Sequence, residues 1–256
     1  MTVQTVYDLI HAVAPFDTQM EGDNSGLLVG SPSLEVNRIL FALDVTGPVI
    51  DEAVALGAEL IVTHHPLMFS AIRSLTDETY EGRLIRRMVR ENISLIAAHT
   101  NLDYAAGGTN DTLAALCGLV EISGEGLFRA GFLPQPMTVR AFADLLGENL
   151  ETTVRVMGPE DGMIRRVGLC SGSGGDEWIR AQEAGCDAFV SGEIKHHYAL
   201  AMADAGITSF ECGHFATEEP GLAALAEALQ NSLDHVECNV RVFVSAVPAY
   251  SFPRTP

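Results

Sequence analysis

Basic residues are scarce in this chain of 256 residues. Fifteen lysines and arginines stand against 34 aspartates and glutamates, which gives a formal net charge of −19. A surface of that sign repels phosphate backbones and anionic lipid headgroups, so it argues against nucleic-acid and membrane partners and favours cations. Because 47% of the residues are hydrophobic, the chain is able to bury a substantial core.

Cysteine pairs are also missing. The five cysteines are odd in number, widely spaced and without a C-x-x-C pair, and they are Cys117, Cys170, Cys186, Cys212 and Cys238. This spacing argues against a structural zinc site and against a disulfide framework. The expected location is the reducing cytoplasm.

No apolar run approaches the roughly 20 residues that a membrane-spanning helix needs. The N-terminus lacks the basic flank and the continuous apolar stretch of a signal peptide. It predicts an amphipathic helix instead. The apolar face of that helix consists of Val6, Leu9, Ile10 and Val13.

Short β-rich runs alternate with helical patterns, which is typical of α/β architecture with mostly parallel strands. Six strands are predicted, at 38–44, 59–65, 93–100, 166–172, 186–193 and 207–214. Helices are predicted between them, among others at 47–58, at 138–150 with Thr138 as its cap, at 177–186, and at 218–230 with Pro220 in its first turn.

The six strands form two sets of three that follow one plan. In the first set, the third strand ends in His99 and a carboxylate follows four residues later, at Asp103. In the second set, the third strand ends in His214 and Glu218 follows four residues later. The repeat predicts two related three-layer α/β units with mostly parallel sheets.

The expected first unit covers 1–120, and segment 215–250 is a candidate to complete it. The expected second unit covers 121–214 and opens with a linker at about 121–136, which contains glycine and proline. The last residues, 247–256, hold three prolines and are expected to form an extended tail.

Histidines gather where ligands bind. In parallel α/β sheets that place is beyond the carboxyl ends of the strands, and six of the eight histidines, all but His11 and His235, lie there. Imidazole nitrogens with carboxylate oxygens suit Zn²⁺, Mn²⁺, Fe²⁺ or Ni²⁺, and a carboxylate can bridge two ions roughly 3.5–4 Å apart. The pattern predicts a binuclear site of two divalent transition-metal ions. Taken singly, Asp103 also fits a turn or cap, and Glu218 a favourable first-turn acid.

His64 and His65 are adjacent at the end of the second strand. Consecutive residues of a strand point to opposite sides, and Pro66 holds the residue before it in an extended conformation. The two imidazoles are therefore expected to point apart, one to each of two ions. The alternative is that one is a ligand and the other a hydrogen-bonded core histidine.

Two further groups are candidates for chemistry. A glycine-rich loop offers backbone amides at the start of a helix and is a weak candidate for phosphate binding, with a plain tight turn as the alternative. Its residues are Ser171, Gly172, Ser173, Gly174 and Gly175. Glu193 and His197 are candidate acid or base groups, with a polar helix-entry loop as the alternative.

Five motifs occur together in a characteristic order: "DNSGLLVG", "VTHHPLMF", "AAHTNLDYAAGGTNDTLA", "GEIKHH" and "GHFATE". They resemble the NIF dinuclear-metal-centre family, whose members are often named GTP cyclohydrolase I type 2 homologues, and the resemblance covers nearly the whole chain. It implies a binuclear metal site in the cleft between the two units. By position, it implies the metal ligands His64, His65, Asp103, His214 and Glu218, with Glu218 as the best bridging candidate and His99 close by.

The resemblance also carries expectations about assembly. It implies a homo-oligomer, a hexamer built as a trimer of dimers or a dimer of trimers, with the sites facing an internal cavity. Some relatives carry an extra domain inserted in mid-chain, and this sequence, which has no room for one, resembles the short form.

The expected function is a metal-dependent hydrolase that acts on a nucleotide or related small molecule through a metal-activated bridging water. The resemblance implies opening of the guanine imidazole ring of GTP with release of formate. His99, His197 and Glu193 are the candidates for proton transfer, and Arg73 and Lys195 remain for phosphates. The alternative is a non-catalytic, metal-binding or regulatory oligomeric assembly; a nucleic-acid-binding factor is disfavoured by the charge.

Overall fold

The computed structural model describes residues 1–159, 161–235 and 239–247. The chain divides into two compact units: Met1–Ala105 with Leu222–Pro256 form the first, and Ala106–Gly221 form the second. The divisions therefore fall after Ala105 and after Gly221, where 120 and 214 were expected. Of the predicted tail at 247–256, all but Val247 lies outside the described residues.

Helices and strands alternate along most of the chain. In order they are α1 (Val3–Val13), β1 (Gly26–Val29), β2 (Arg38–Ala42), α2 (Gly47–Leu56), β3 (Leu60–Thr63), α3 (Tyr80–Glu91), β4 (Ser94–Ala97), α4 (Thr100–Tyr104), α5 (Thr109–Leu116), β5 (Val120–Ser123), β6 (Arg129–Thr138), α6 (Val139–Asn149), β7 (Arg155–Met157), β8 (Met163–Cys170), α7 (Trp178–Glu183), β9 (Ala188–Ser191), α8 (His196–Asp204), β10 (Thr208–Glu211), α9 (His214–His235) and β11 (Arg241–Val244). All six predicted strands and all the predicted helices are present.

The first unit is built on a five-stranded sheet in the order β1-β4-β3-β2-β11, in which only β1 is antiparallel to its neighbour. Phe41 and Val62 lie in a core with α1 and the last turns of α9, whereas Leu40 and Ile61 lie in a second core with α2 and α3. Because both faces are covered, the inner strands read as continuous apolar runs. The unit has the predicted three layers.

The second unit is built on a six-stranded mixed sheet in the order β5-β6-β8-β9-β10-β7. Strands β8, β9 and β10 are parallel, and β5, β6 and β7 each run antiparallel to a neighbour. Helices α5 and α6 contribute to the core on one side, and α7 and α8 to the core on the other. This unit is also three-layered, but its sheet is less parallel than expected.

The expected linker at 121–136 is wrong as a description of the backbone, because these residues form most of β5 and of β6. Pro134 and Pro136 lie within β6, where the register against β8 shifts between Phe132 and Met137. Proline has no N–H to donate to a sheet, so an irregular stretch of the ladder is where it is tolerated.

Two predicted helices differ in detail. In α1 the buried residues are Val3, Val6 and Ile10, and Val13 is exposed. Helix α9 begins at His214, four residues before the predicted start, so that Pro220 lies inside the helix. Thr138 caps α6 as predicted, since its Oγ1 accepts a hydrogen bond from the N–H of Ala141.

Helix α9 has 22 residues. Neither it nor any other helix in the described part of the chain is long and apolar enough to cross a membrane.

Candidate metal centre

Three parallel strands of the first unit end at one edge of their sheet. Ala42 of β2 lies opposite Thr63 of β3, and Thr63 lies opposite Ala97 of β4. The residues that follow these strands include His64, His65 and His99. One ring nitrogen from each of these three imidazoles lies within 4.8 Å of the other two, which is a spacing that permits metal binding.

The expectation that His64 and His65 point apart is wrong, because it assumed that both residues belong to the strand. Strand β3 ends at Thr63, so the alternation of side chains has already stopped when the chain reaches the two histidines. Their ring centroids are 5.1 Å apart, with an angle of 53° between the ring planes. The two imidazoles therefore converge on one region.

His64 is fully buried, and its orientation is fixed by a backbone carbonyl. Its Nδ1 lies 2.9 Å from the oxygen of Ala98. Since a carbonyl oxygen only accepts, Nδ1 carries the proton and Nε2 carries the lone pair. Asp103, buried in α4, places Oδ1 3.7 Å from that Nε2. A nitrogen and an oxygen donor thus lie side by side.

Carboxylates orient the other two imidazoles of the first unit. Nδ1 of His65 lies 2.8 Å from Oδ1 of Asp44, and Nδ1 of His99 lies 2.8 Å from Oδ1 of Asp23. Burial raises the pKa of Asp23, but hydrogen bonds from His99 and Thr100 outweigh it and hold the pKa well below the usual range. Asp23 is therefore ionised and accepts a hydrogen bond from Nδ1–H of His99.

The second unit repeats this arrangement at its own strand ends. Cys170 of β8 lies opposite Ser191 of β9, and Ser191 lies opposite Glu211 of β10, so the segments that follow leave the same edge. His214 opens α9, and Glu218 follows one turn later on the same helix face.

Side-chain contacts hold His214 on both sides. Nε2 of His214 lies 3.0 Å from Oε2 of Glu218. Glu218 is a buried residue, with 4% of its surface exposed. On the other side of the ring, Nδ1 lies 2.9 Å from Oε1 of Glu193. Oε2 of Glu193 accepts a hydrogen bond from the hydroxyl of Ser173 at 2.9 Å. Glu193, predicted as an acid or base, thus orients His214.

The glycine-rich loop at 171–175 uses its amides within the protein. The N–H of Ser171 donates to Oδ1 of Asn110, the N–H of Gly172 to Oγ1 of Thr217, and the N–H of Gly174 to the carbonyl of Ser171. These contacts argue against the predicted phosphate cradle, because three of its five amides already have acceptors.

Close approach explains the glycine at position 172. Its φ is +55°, in the left-handed region, and a Cβ atom there would collide with the carboxylate of Glu218. Gly192, in the neighbouring segment, lies close to backbone atoms, since a Cβ there would be 2.6 Å from the carbonyl oxygen of Gly172. The loop therefore leaves space for a buried carboxylate.

The predicted residue His197 lies outside these contacts. It is exposed in the first turn of α8, and its ring contacts that of Tyr198 at a centroid distance of 4.2 Å. Conversely, the sequence reasoning missed Asp44 and Asp23 as partners of the histidines. Asp44 was detectable because it also follows a strand, whereas Asp23 is 76 residues from His99 in sequence.

The donors present suit a transition metal. Each of the histidines His64, His65, His99 and His214 binds an oxygen acceptor through Nδ1. Histidines that bind metal through Nε2 almost always have their other ring nitrogen held in this way. Buried carboxylates lie beside two of the rings, and nitrogen with oxygen donors suits Zn²⁺, Mn²⁺, Fe²⁺ and Ni²⁺ alike.

Three of the cysteines are poor donors for such a site. Cys117, Cys186 and Cys212 are buried. Burial raises the pKa of the Cys117 thiol well above its usual range, that of Cys186 to about 11 and that of Cys212 to about 12. Only a thiolate binds metal well, so these three side chains are inert at neutral pH.

The carboxylate behind His65 gives a direct test of this arrangement. We expect Asp44→Ala to weaken metal affinity by about 10- to 100-fold, because the imidazole loses the partner that fixes its tautomer and direction. Affinity is measured by competition with a chromogenic chelator. Asp51→Ala is the matched control, since it removes the same charge from a surface pair with Arg87. Equal affinities for the two variants would contradict the assignment.

Comparisons with known proteins agree over the length of the chain. The model of the Duf34/NIF3 (NGG1p interacting factor 3) family matches residues 1–249. A "GTP cyclohydrolase 1 type 2 homolog" from Clostridium perfringens is 33% identical over 244 residues, covering 91% of this chain and 93% of that protein. Staphylococcus aureus protein SA1388 has a similar structure, with a TM-score of 0.93, 28% identity, and coverage of 100% of this chain and 99% of that one. A Bacillus cereus protein related to NIF3 shares the fold, with a TM-score of 0.94 at 22% identity, over 100% of this chain and 99% of that one.

Proposed function

Since the chain belongs to the Duf34/NIF3 family, we propose that it is a dinuclear metal-dependent hydrolase that acts on a nucleotide or a related small molecule. Its proposed metal ligands are His64, His65, Asp103, His214 and Glu218. The proposal extends to a homohexamer located in the cytoplasm.

One observation carries the proposal. Four imidazoles at strand ends are each held through Nδ1 by an oxygen atom, and three of these acceptors are carboxylates. A histidine that only fills a core has no need of a charged partner that fixes its tautomer. Three such pairs, the carbonyl that holds the fourth imidazole, and the buried acids Asp103 and Glu218 together fit metal coordination better than they fit packing.

The metal ions and the acidic ligands have different tasks in this proposal. Two divalent ions, when bound, would lower the pKa of a bound water so that it acts as a nucleophile near neutral pH. Asp103 and Glu218 would supply negative charge to balance that of the ions, and Glu218 is proposed as the bridging ligand.

His99 is the proposed general acid and base. Asp23 accepts a hydrogen bond from its Nδ1–H, which leaves Nε2 to take up a proton from the nucleophile and to return it to the leaving nitrogen. The ionised state of Asp23 favours this role, because the carboxylate stabilises the imidazolium that forms.

The substrate class rests on the relatives. They are named as homologues of GTP cyclohydrolase 1 type 2, and hydrolysis of a cyclic amidine C–N bond is a reaction that a metal-activated water can perform. We therefore propose a purine nucleotide as the substrate.

Metal content and turnover together test the function. We expect about two transition-metal ions per chain by elemental analysis of the purified hexamer, and release of formate from GTP or a related nucleotide. A chelator should abolish turnover, and addition of Zn²⁺, Mn²⁺, Fe²⁺ or Ni²⁺ should restore it. Bound metal without turnover on a panel of nucleotides and phosphoesters would favour the non-catalytic assembly; absence of metal after loading would defeat both.

A further inference from the structure

A cavity of about 330 Å³ is lined mainly by the segment that follows the two adjacent histidines. Leu67, Met68, Phe69 and Ile72 contribute to its wall, together with Arg73 and Glu81. Its volume falls within the range of small-molecule sites, which are mostly apolar with a few placed polar groups. The whole cavity belongs to the first unit.

Packing and hydrogen bonds fix the residues that line the cavity. Leu67, Met68 and Ile72 pack against the core that α2 and α3 form with the sheet. The carbonyl of Met68 accepts a hydrogen bond of 2.7 Å from Nδ2 of Asn24. The N–H of Asn24 in turn donates to Asp23, the carboxylate that holds His99. Asn24 and Asp23 therefore connect the wall of the cavity with His99, the candidate acid and base.

Phe69 connects the cavity with His99. The two rings meet edge to face, with centroids 5.5 Å apart and planes at 81°. Phe69 is nevertheless 61% exposed, which is costly for an aromatic side chain with no further role. Its exposed surface suits a planar ring as a stacking partner.

Arg73 is the basic residue among those that line this cavity. The arginines of the nearby helix α3 each bind an acceptor of the protein: Arg83, Arg86, Arg87 and Arg90. Among the described residues, Arg73 makes no ion pair and no side-chain hydrogen bond. A guanidinium that lines a cavity without a protein partner suits an anionic group such as a phosphate.

We propose that the segment from Leu67 to Ser74 is the substrate-recognition loop, in which Phe69 stacks on a heteroaromatic base and Arg73 binds a phosphate group. The inference rests on the proposed function and names the residues that select a nucleotide. Phe69 places the base beside His99, so that the ring to be attacked lies next to the group that moves the proton.

Nucleotide binding by the metal-depleted protein tests the loop apart from catalysis and from binding of phosphate to metal. Affinities for GTP, guanosine and inorganic phosphate are measured by calorimetry. We expect Arg73→Gln to weaken GTP about 10- to 100-fold and to leave guanosine unchanged, because a hydrogen bond to a charged group is lost. Phe69→Ala should weaken both GTP and guanosine about 10-fold or more, because stacking is lost.

Matched controls come from the second unit. Arg140→Gln removes an exposed arginine, and Phe132→Ala removes an aromatic ring that is 40% exposed. Both should bind GTP as the original chain does. If Arg73→Gln and Phe69→Ala behave like these controls, or if the original chain binds neither GTP nor guanosine, the inference is overturned.

The two proposals fail in different ways. Binding that depends on Phe69 and Arg73, in a metal-loaded protein that turns nothing over, keeps the recognition loop and defeats the hydrolase. Turnover of a nucleotide that neither variant affects keeps the hydrolase and overturns the recognition loop.

Discussion

His64→Asn is expected to lower the affinity for metal by more than about 100-fold and to abolish turnover, while the metal-free protein keeps its stability. Removal even of a partner behind a ligand costs 10- to 100-fold in affinity, so loss of a ligand should cost more. His64 presents Nε2 beside Asp103, and no other described histidine has this buried position.

Asparagine is chosen because it separates the two tasks of the ring. Its side-chain N–H₂ can replace Nδ1 as the donor to the carbonyl of Ala98, which lies 2.9 Å from the ring in the original chain. It has no counterpart of Nε2. The structural hydrogen bond is therefore kept, and only the metal donor is lost.

Elemental analysis after metal loading and thermal unfolding of the apoprotein provide the two measurements. His11→Gln is the control: His11 is an exposed residue of α1 whose Nδ1 accepts from the N–H of Phe16, and the glutamine oxygen can do the same. Full metal content in His64→Asn would remove this residue from the ligand set. A matching loss in His11→Gln would show that the assay reports damage to the fold.

Residues with local signals were predictable from the sequence. Strand ends are visible as apolar runs that stop, so the amino-acid pattern alone is enough to group the histidines that follow β3, β4 and β10. The pairing of His214 with Glu218 also followed from spacing, because residues four apart share a helix face.

Contacts between distant segments could not be predicted in this way. Asp23 reaches His99 across 76 residues, and no periodic pattern links them. The glycines and prolines of 121–136 predict a linker, yet these residues form most of β5 and β6. The residues of β6 nevertheless pair with β8, which lies far away in sequence. The register shift between Phe132 and Met137 accommodates Pro134 and Pro136, which have no N–H to donate.

The exact end of β3 decided how the adjacent histidines are arranged. Strand boundaries depend on pairing with neighbours, which a single strand does not reveal. Since β3 stops at Thr63, the geometry of His64 and His65 follows from the contacts with Ala98 and Asp44 and not from strand alternation.

Gly172→Ala is expected to lower metal affinity about 10- to 100-fold, although residue 172 has no side chain to bind an ion. The new Cβ would collide with the carboxylate of Glu218, which must then move away from its position beside Nε2 of His214. Displacement of a ligand by its surroundings costs about as much as loss of an orienting partner. Chelator competition measures the affinity.

Backbone strain has to be separated from this collision, and the chain offers a matched control. Gly185 belongs to the same unit and has a φ of +67°, close to the +55° of Gly172, but a Cβ there would meet no atom within 4 Å. The left-handed conformation alone should cost about 1 kcal/mol in the free energy of unfolding at either position, and Gly172→Ala adds the cost of the collision. Only Gly172→Ala should lose metal. If both variants bind metal equally, the close approach of this loop to Glu218 has no part in holding the ion.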